Sequence, residues 1–231
     1  MKSRIKSSCF TIIELLVVIA IMALLLYAAM PAFEKMAKGS GVELAARNVY
    51  NYLSMARNYA ITNRQYIAVV FPMTDETLNA SLDYPNSGVP ATHRNRGYRA
   101  CIVNSSKVFQ RWIPGDSWQL VPAGVAFLDV GNDSDDDPVV DSGERNDAIV
   151  AADALIADVN FSDLTGGSSM IDDVVAIIFK PTGRIVGAER FVEMGEGVFN
   201  TDTLVVTNRT AGAFATIKVD EYTGRVSYGK D

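Results

Sequence analysis

The chain has 231 residues, 48% of them hydrophobic and 21% charged, which suits one sizeable core plus an appendage and excludes wholesale disorder. A formal charge of −6 argues against a non-specific nucleic-acid binder, because neutralising phosphate takes a clustered excess of Lys and Arg. With only Cys9 and Cys101 present, no disulfide framework follows, and Cys101 reads as a small buried apolar side chain.

Lys2, Arg4 and Lys6 crowd the start of the chain, and from Phe10 to Phe33 the sequence is apolar apart from Thr11 and Glu14. As a helix, that stretch is long enough to span a hydrocarbon core of about 30 Å. The basic residues ahead of it predict a cytoplasmic N-terminus, with everything after Phe33 exported. An ordinary cleavable signal peptide shares these hallmarks. Against it, Glu14 falls near the start of the apolar run, and Tyr27-Ala28-Ala29-Met30 offers no small-x-small cleavage site. A lipoprotein signal would place its apolar stretch before the cysteine, whereas here it follows Cys9. A carboxylate inside a bilayer costs about 2.5 to 3.5 kcal/mol, so Glu14 calls for a partner, most naturally an amine, unless it snorkels to the headgroups. Pro31 removes a backbone donor and is expected to kink the helix.

The segment Cys9-Phe10-Thr11-Ile12-Ile13-Glu14-Leu15-Leu16-Val17-Val18 resembles the prepilin peptidase recognition segment of type IV pilins and type II secretion pseudopilins. The resemblance implies cleavage between Cys9 and Phe10, methylation of the new amine, and a leader of residues 1–9. Where that family nearly always has Gly, this chain has Cys9. The resemblance further implies that Glu14 meets the N-terminal amine of a neighbouring subunit and sets axial register. It names as partners the prepilin peptidase, other pilin or pseudopilin subunits, the inner membrane and an assembly platform protein. The head would sit in the periplasm before joining a pilus or pseudopilus.

Past a transmembrane helix at 10–33, an amphipathic continuation is expected over 34–64, after a flexible break at Gly39-Ser40-Gly41. Val42, Ala46, Val49, Leu53, Ala56 and Ala60 recur four and three apart and make a single apolar stripe. Arg47, Asn48, Asn51, Ser54, Arg57 and Asn58 fill the remaining surface, and the helix is expected to end near Asn63. The junction from Ala56 to Phe71 resembles that of the GspH/FimT family of minor pilins and pseudopilins. Trp112 and Trp118 ahead of Leu120 to Phe127 resemble the same family.

Residues 65–231 read as a β-rich head. Strands are expected at Tyr66 to Phe71, Tyr98 to Val103, Lys107 to Ile113, Val174 to Phe179, Thr203 to Val206 and Phe214 to Val219. Two similar hairpin turns stand out, Lys180-Pro181-Thr182-Gly183-Arg184-Ile185 and Glu221-Tyr222-Thr223-Gly224-Arg225-Val226, which share turn chemistry. Gly195-Glu196-Gly197 reads as a further turn. Strands without long helices between them imply an α+β fold of the pilin type, a long N-terminal helix packed on an antiparallel sheet.

Asp133, Asp135, Asp137, Asp141 and Glu144 fall at positions 1, 3, 5, 9 and 12 of a twelve-residue window, with the Val139 carbonyl at 7, the spacing of a calcium loop. Pro138 stands where such a loop wants Gly, and a solvated acidic loop is the alternative. Arg94, Arg96 and Arg99 form a small basic cluster that could contact nucleic acid, although the acidic total opposes it. His93 is the single histidine and has no nucleophile beside it in sequence; with no P-loop, HExxH or CxxC pairs, the chain reads as a structural subunit rather than an enzyme. A DNA-capturing pilin and a membrane-anchored protein that never polymerises are the competing readings.

Overall fold

A computed structural model of the chain describes residues 12–73, 89–90, 92–131, 155–165, 170–172, 174–200, 203–206 and 214–229, with the side chains of 28–39, 165, 198–200 and 203–206 excepted. The chain falls into two compact units, Met1–Lys38 and Gly39–Asp231. Helix α1 spans Ile12–Asn63. It continues without interruption through Gly39-Ser40-Gly41, where the sequence suggested a break. Glycine weakens a helix by about 1 kcal/mol relative to Ala without forbidding it. A Cβ on Gly41 would meet a Val125 methyl at 3.5 Å, an ordinary contact.

From Gly41 onward α1 belongs to the head. All six stripe residues, Val42, Ala46, Val49, Leu53, Ala56 and Ala60, are at most 1% exposed, and Ala45 joins them. The strands that follow are β1 (Tyr66–Val70), β2 (Gly97–Val103), β3 (Phe109–Trp112), β4 (Gln119–Leu120), β5 (Val125–Gly131), β6 (Leu155–Ile156) and β7 (Val159–Asn160). After a single-turn helix, α2 (Ser162–Thr165), come β8 (Met170–Ile171), β9 (Val174–Phe179), β10 (Arg190–Asn200), β11 (Thr203–Val206), β12 (Phe214–Val219) and β13 (Val226–Gly229).

The first sheet runs β3-β2-β1-β9-β6, with β4 beside the start of β2, and its ladders are antiparallel. It is buried on both faces, which explains the uninterrupted apolar runs of β1 and β9. Ile67, Val69, Phe71, Val175, Ile177 and Phe179 join the helix stripe in one core. The alternate residues Ala68, Val70, Val174, Ala176 and Ile178 enter a second core with Val159, Phe161 and Ile171. Cys101 sits fully buried in that second core, and burial pushes its thiol well above the usual range. The two ends of the sheet also meet at one bridge. Ala157, immediately after β6, donates to the Lys107 carbonyl at 3.1 Å and accepts from the Phe109 amide at 3.0 Å, joining the outer strands.

The second sheet runs β11-β10-β12-β13, with β5 also paired to β10, again antiparallel. Its inner residues Phe127, Val192, Met194, Ala215, Ile217, Val219 and Val226 complete the core against α1. Asn95, fully buried with φ 52°, stitches the sheets together. Its amide donates to the Pro72 carbonyl at 2.8 Å, and its carbonyl accepts the Phe127 amide at 2.7 Å. Asn tolerates the left-handed region better than most residues.

Strand β10 corrects one expectation: Gly195-Glu196-Gly197 is not a turn but lies within this eleven-residue strand. A Cβ on Gly195 would come within 2.8 Å of Leu128 Cδ1 and of the Phe214 ring, so the glycine is there for close cross-strand packing. Strands β5 and β10 were not anticipated, because Gly, Glu and Asp within them interrupt the apolar alternation, nor was the four-residue β13.

These two glycines predict opposite outcomes. Gly195→Ala should destabilise the protein by about 1 to 3 kcal/mol through overpacking. Gly41→Ala, whose new methyl meets only ordinary contact, should stabilise it by about 0.5 to 1 kcal/mol. Urea denaturation midpoints of the two variants check both signs.

Candidate functional site

Two regions carry chemistry beyond packing. The first is the apolar part of α1. From Ile12 to Tyr27 the large apolar side chains are exposed, from 46% at Val18 to 86% at Ile12. Glu14 lies among them and is also exposed. Among the described residues no helix is long and apolar enough to cross a membrane. In sequence the apolar run continues beyond Tyr27 through Ala28, Ala29 and Met30 to Phe33. Cys9 and Phe10 lie outside the described residues, as does the calcium-loop sequence with Asp133, Asp135, Asp137, Val139, Asp141 and Glu144. Pro31 is within α1, and the helix continues past it. Among the described residues no three His, Cys, Asp or Glu side chains gather to hold a metal.

The second region surrounds the head portion of α1. The Tyr52 hydroxyl donates to Asp116 Oδ2 at 2.5 Å and accepts the Ala100 amide at 2.8 Å, tying the helix to β2 and to the loop after β3. Burial, reinforced by the Asp116 carboxylate, drives the Tyr52 hydroxyl far above its usual range and pushes Tyr98 up to about 12. One helical turn further on, Arg57 Nε donates to the carbonyls of Gly183 and Thr223, each at 3.1 Å, and Nη2 donates to Thr223 at 2.8 Å.

The predicted basic cluster is drawn into the fold. Arg99 pairs with Asp163, donates from Nη2 to the Asp116 carbonyl at 2.8 Å, and lies 4.5 Å over the Trp112 ring. Only 11% of its side chain is exposed. Arg96 donates to the Val121 carbonyl at 3.2 Å and Arg94 to the Val89 carbonyl at 2.8 Å. These arginines order loops and cap an aromatic cluster in which Trp112 and Trp118 meet edge-on at 5.2 Å and Trp118 stacks on Phe161 at 5.5 Å. His93 meets the edge of Trp118 at 5.7 Å. Partial burial pulls its pKa below the usual value, with Asp163 opposing the shift and Arg96 adding to it. Sequence reading missed Tyr52, Arg57 and Asp116. Arg57 had one legible signal, its place with Arg47 on a helix surface otherwise filled by Asn and Ser.

The arrangement is an α+β protein in which an amphipathic helix lies against antiparallel sheets and carries an exposed apolar stretch at its N-terminal end. No family model matches the chain, and no curated protein matches it. Among solved structures it is similar to the crystal structure of the type IV minor pilin FimU of Pseudomonas aeruginosa, at 13% identity and a TM-score of 0.36. That likeness covers 83% of this chain and 90% of the pilin.

Two outcomes follow from the head geometry. Tyr52→Phe removes the donor to Asp116 and leaves the Ala100 amide only its longer bond to Asp116 Oδ2 at 3.3 Å, and should cost about 1 to 3 kcal/mol in a denaturant titration. For His93, a folded pKa below the unfolded value means that the unfolded chain takes up its proton first as pH falls. Its contribution is therefore complete above the ordinary histidine range and is lost as pH drops through that range towards the folded value. Between about pH 7.5 and pH 5.5, His93→Gln should show a smaller fall in denaturation midpoint than the parent.

Proposed function

We propose that this chain is a structural subunit of a type IV pilus or type II secretion filament, a minor pilin or pseudopilin, assembled through its N-terminal helix. The observation that carries the reading is the exposed apolar surface of α1 from Ile12 to Tyr27, broken by the single carboxylate of Glu14. Soluble monomers rarely expose apolar patches beyond a few hundred Å². Such a helix needs a bilayer around it, or neighbouring copies of similar helices. The segment Cys9 to Val18 supports the same reading through its resemblance to a prepilin peptidase site.

In this reading the subunit waits in the inner membrane with its N-terminus in the cytoplasm and its head in the periplasm. The peptidase cuts between Cys9 and Phe10 and methylates Phe10. Glu14 then pairs with the amine of a neighbouring subunit, which neutralises a carboxylate that lipid alone would penalise by about 2.5 to 3.5 kcal/mol. The head contributes surface rather than catalysis. Commitment of the Arg99 guanidinium to Asp163, Asp116 and Trp112 speaks against the alternative of nucleic-acid capture by the Arg94, Arg96 and Arg99 cluster.

Co-expression of the full chain with a prepilin peptidase, followed by mass spectrometry of the N-terminus, tests the assignment. A mature protein beginning at methylated Phe10 is expected; an uncut chain would leave a membrane-anchored protein that does not polymerise. Glu14→Ala should abolish recovery in sheared filaments while the variant still accumulates in the membrane. Filament incorporation equal to the parent would remove the register role of Glu14.

A further inference from the structure

The two Thr-Gly-Arg turns, about forty residues apart in sequence, come together in space. In the first, which follows β9, the Lys180 amide donates to the Arg184 carbonyl at 2.7 Å and the Gly183 amide to Lys180 at 2.8 Å. In the second, between β12 and β13, the Asp220 amide donates to Arg225 at 3.0 Å and the Gly224 amide to Asp220 at 2.8 Å. A Cβ placed on Gly224 would fall 1.8 Å from the Gly183 carbonyl oxygen, so the two backbones abut with no room for a side chain. A second contact crosses the junction, the Arg184 guanidinium 5.6 Å from the centre of the Tyr222 ring.

One turn extends the first sheet and the other belongs to the second, and Arg57 reaches both from α1. Its planar fork meets the Gly183 and Thr223 carbonyls together, which the point charge of a lysine could not do in the same geometry. Ile61, one turn along the helix, packs where a Gly183 side chain would stand, 2.7 Å from that Cβ site. Sequence similarity between the turns therefore has a structural reason beyond turn chemistry. Each supplies a carbonyl to the same guanidinium, and each needs a glycine where the backbones touch.

We infer that Arg57 is a conformational latch that holds the two Thr-Gly-Arg turns, one from each sheet, in step with the end of α1, so that they open together. The latch stands on the head geometry alone and does not depend on the filament reading. Hydrogen–deuterium exchange of the full chain in detergent micelles, for the parent, Arg57→Gln and Arg57→Lys, tests it. In Arg57→Gln, peptides covering Lys180 to Ile185 and Glu221 to Val226 should both exchange about tenfold faster, by a similar factor, while β2 keeps its protection. Arg57→Lys should fall between the two. Loosening of one turn without the other, unchanged exchange in both, or an equal rise throughout β2 would overturn the inference. Should Arg57→Gln fail to fold, Arg57→Lys carries the test on the same peptides. A chain that remains uncleaved by the peptidase yet shows coupled turns would sink the filament assignment and leave the latch standing.

Discussion

The stripe from Val42 to Ala60 is the contact on which the head depends. It is built mainly from Ala and Val, and its side chains share one core with residues from both sheets. A helix lined with Leu or Phe would stand farther off, and the aromatic residues now filling the angle, Phe71, Tyr98 and Phe127, would lose their edge-on packing at 5.1 and 5.9 Å. Since neither sheet covers its inner face without the helix, the same residues that end the stem also complete the fold.

Polar fastenings complement that apolar contact. Tyr52 and Arg57 anchor α1, and Asn95 joins the two sheets. Each is buried or half-buried, and each bonds to backbone or to a carboxylate, which offsets the cost of taking it out of water. Their chemistry is suited to specifying position. A hydrophobic interface tolerates sliding by a fraction of a residue, whereas an arginine fork spanning two carbonyls does not.

Much of this was legible in the sequence, for identifiable reasons. The helix stripe and strands β1, β2, β9, β11 and β12 follow from periodicity and β-branched content, because burial is the physical cause of both. Strand β10 was hidden by Gly195 and Gly197, whose usual meaning as turn residues yields here to the bulk of Phe214 and Leu128. The basic cluster misled differently. Proximity of Arg94, Arg96 and Arg99 in sequence says nothing of Asp163, Trp112 and Asp116, which arrive from elsewhere and occupy Arg99. The pairing of the Thr-Gly-Arg turns was visible as a repeat, but its meaning required knowing that Arg57 stands between them.

The bridge at Ala157 in the first sheet bears on how such a protein behaves in company. An open sheet offers its outermost strand as a template on which any other extended chain can hydrogen-bond. Here Ala157, next to β6, bonds to Lys107 and Phe109 at the start of β3, so part of that edge is already taken and a neighbour's backbone meets a shorter template. Copies brought to high local density would find less free edge on this sheet, and side chains and shape would carry more of their recognition. Order in such an array would owe correspondingly more to chosen contacts than to indiscriminate adhesion of strand to strand.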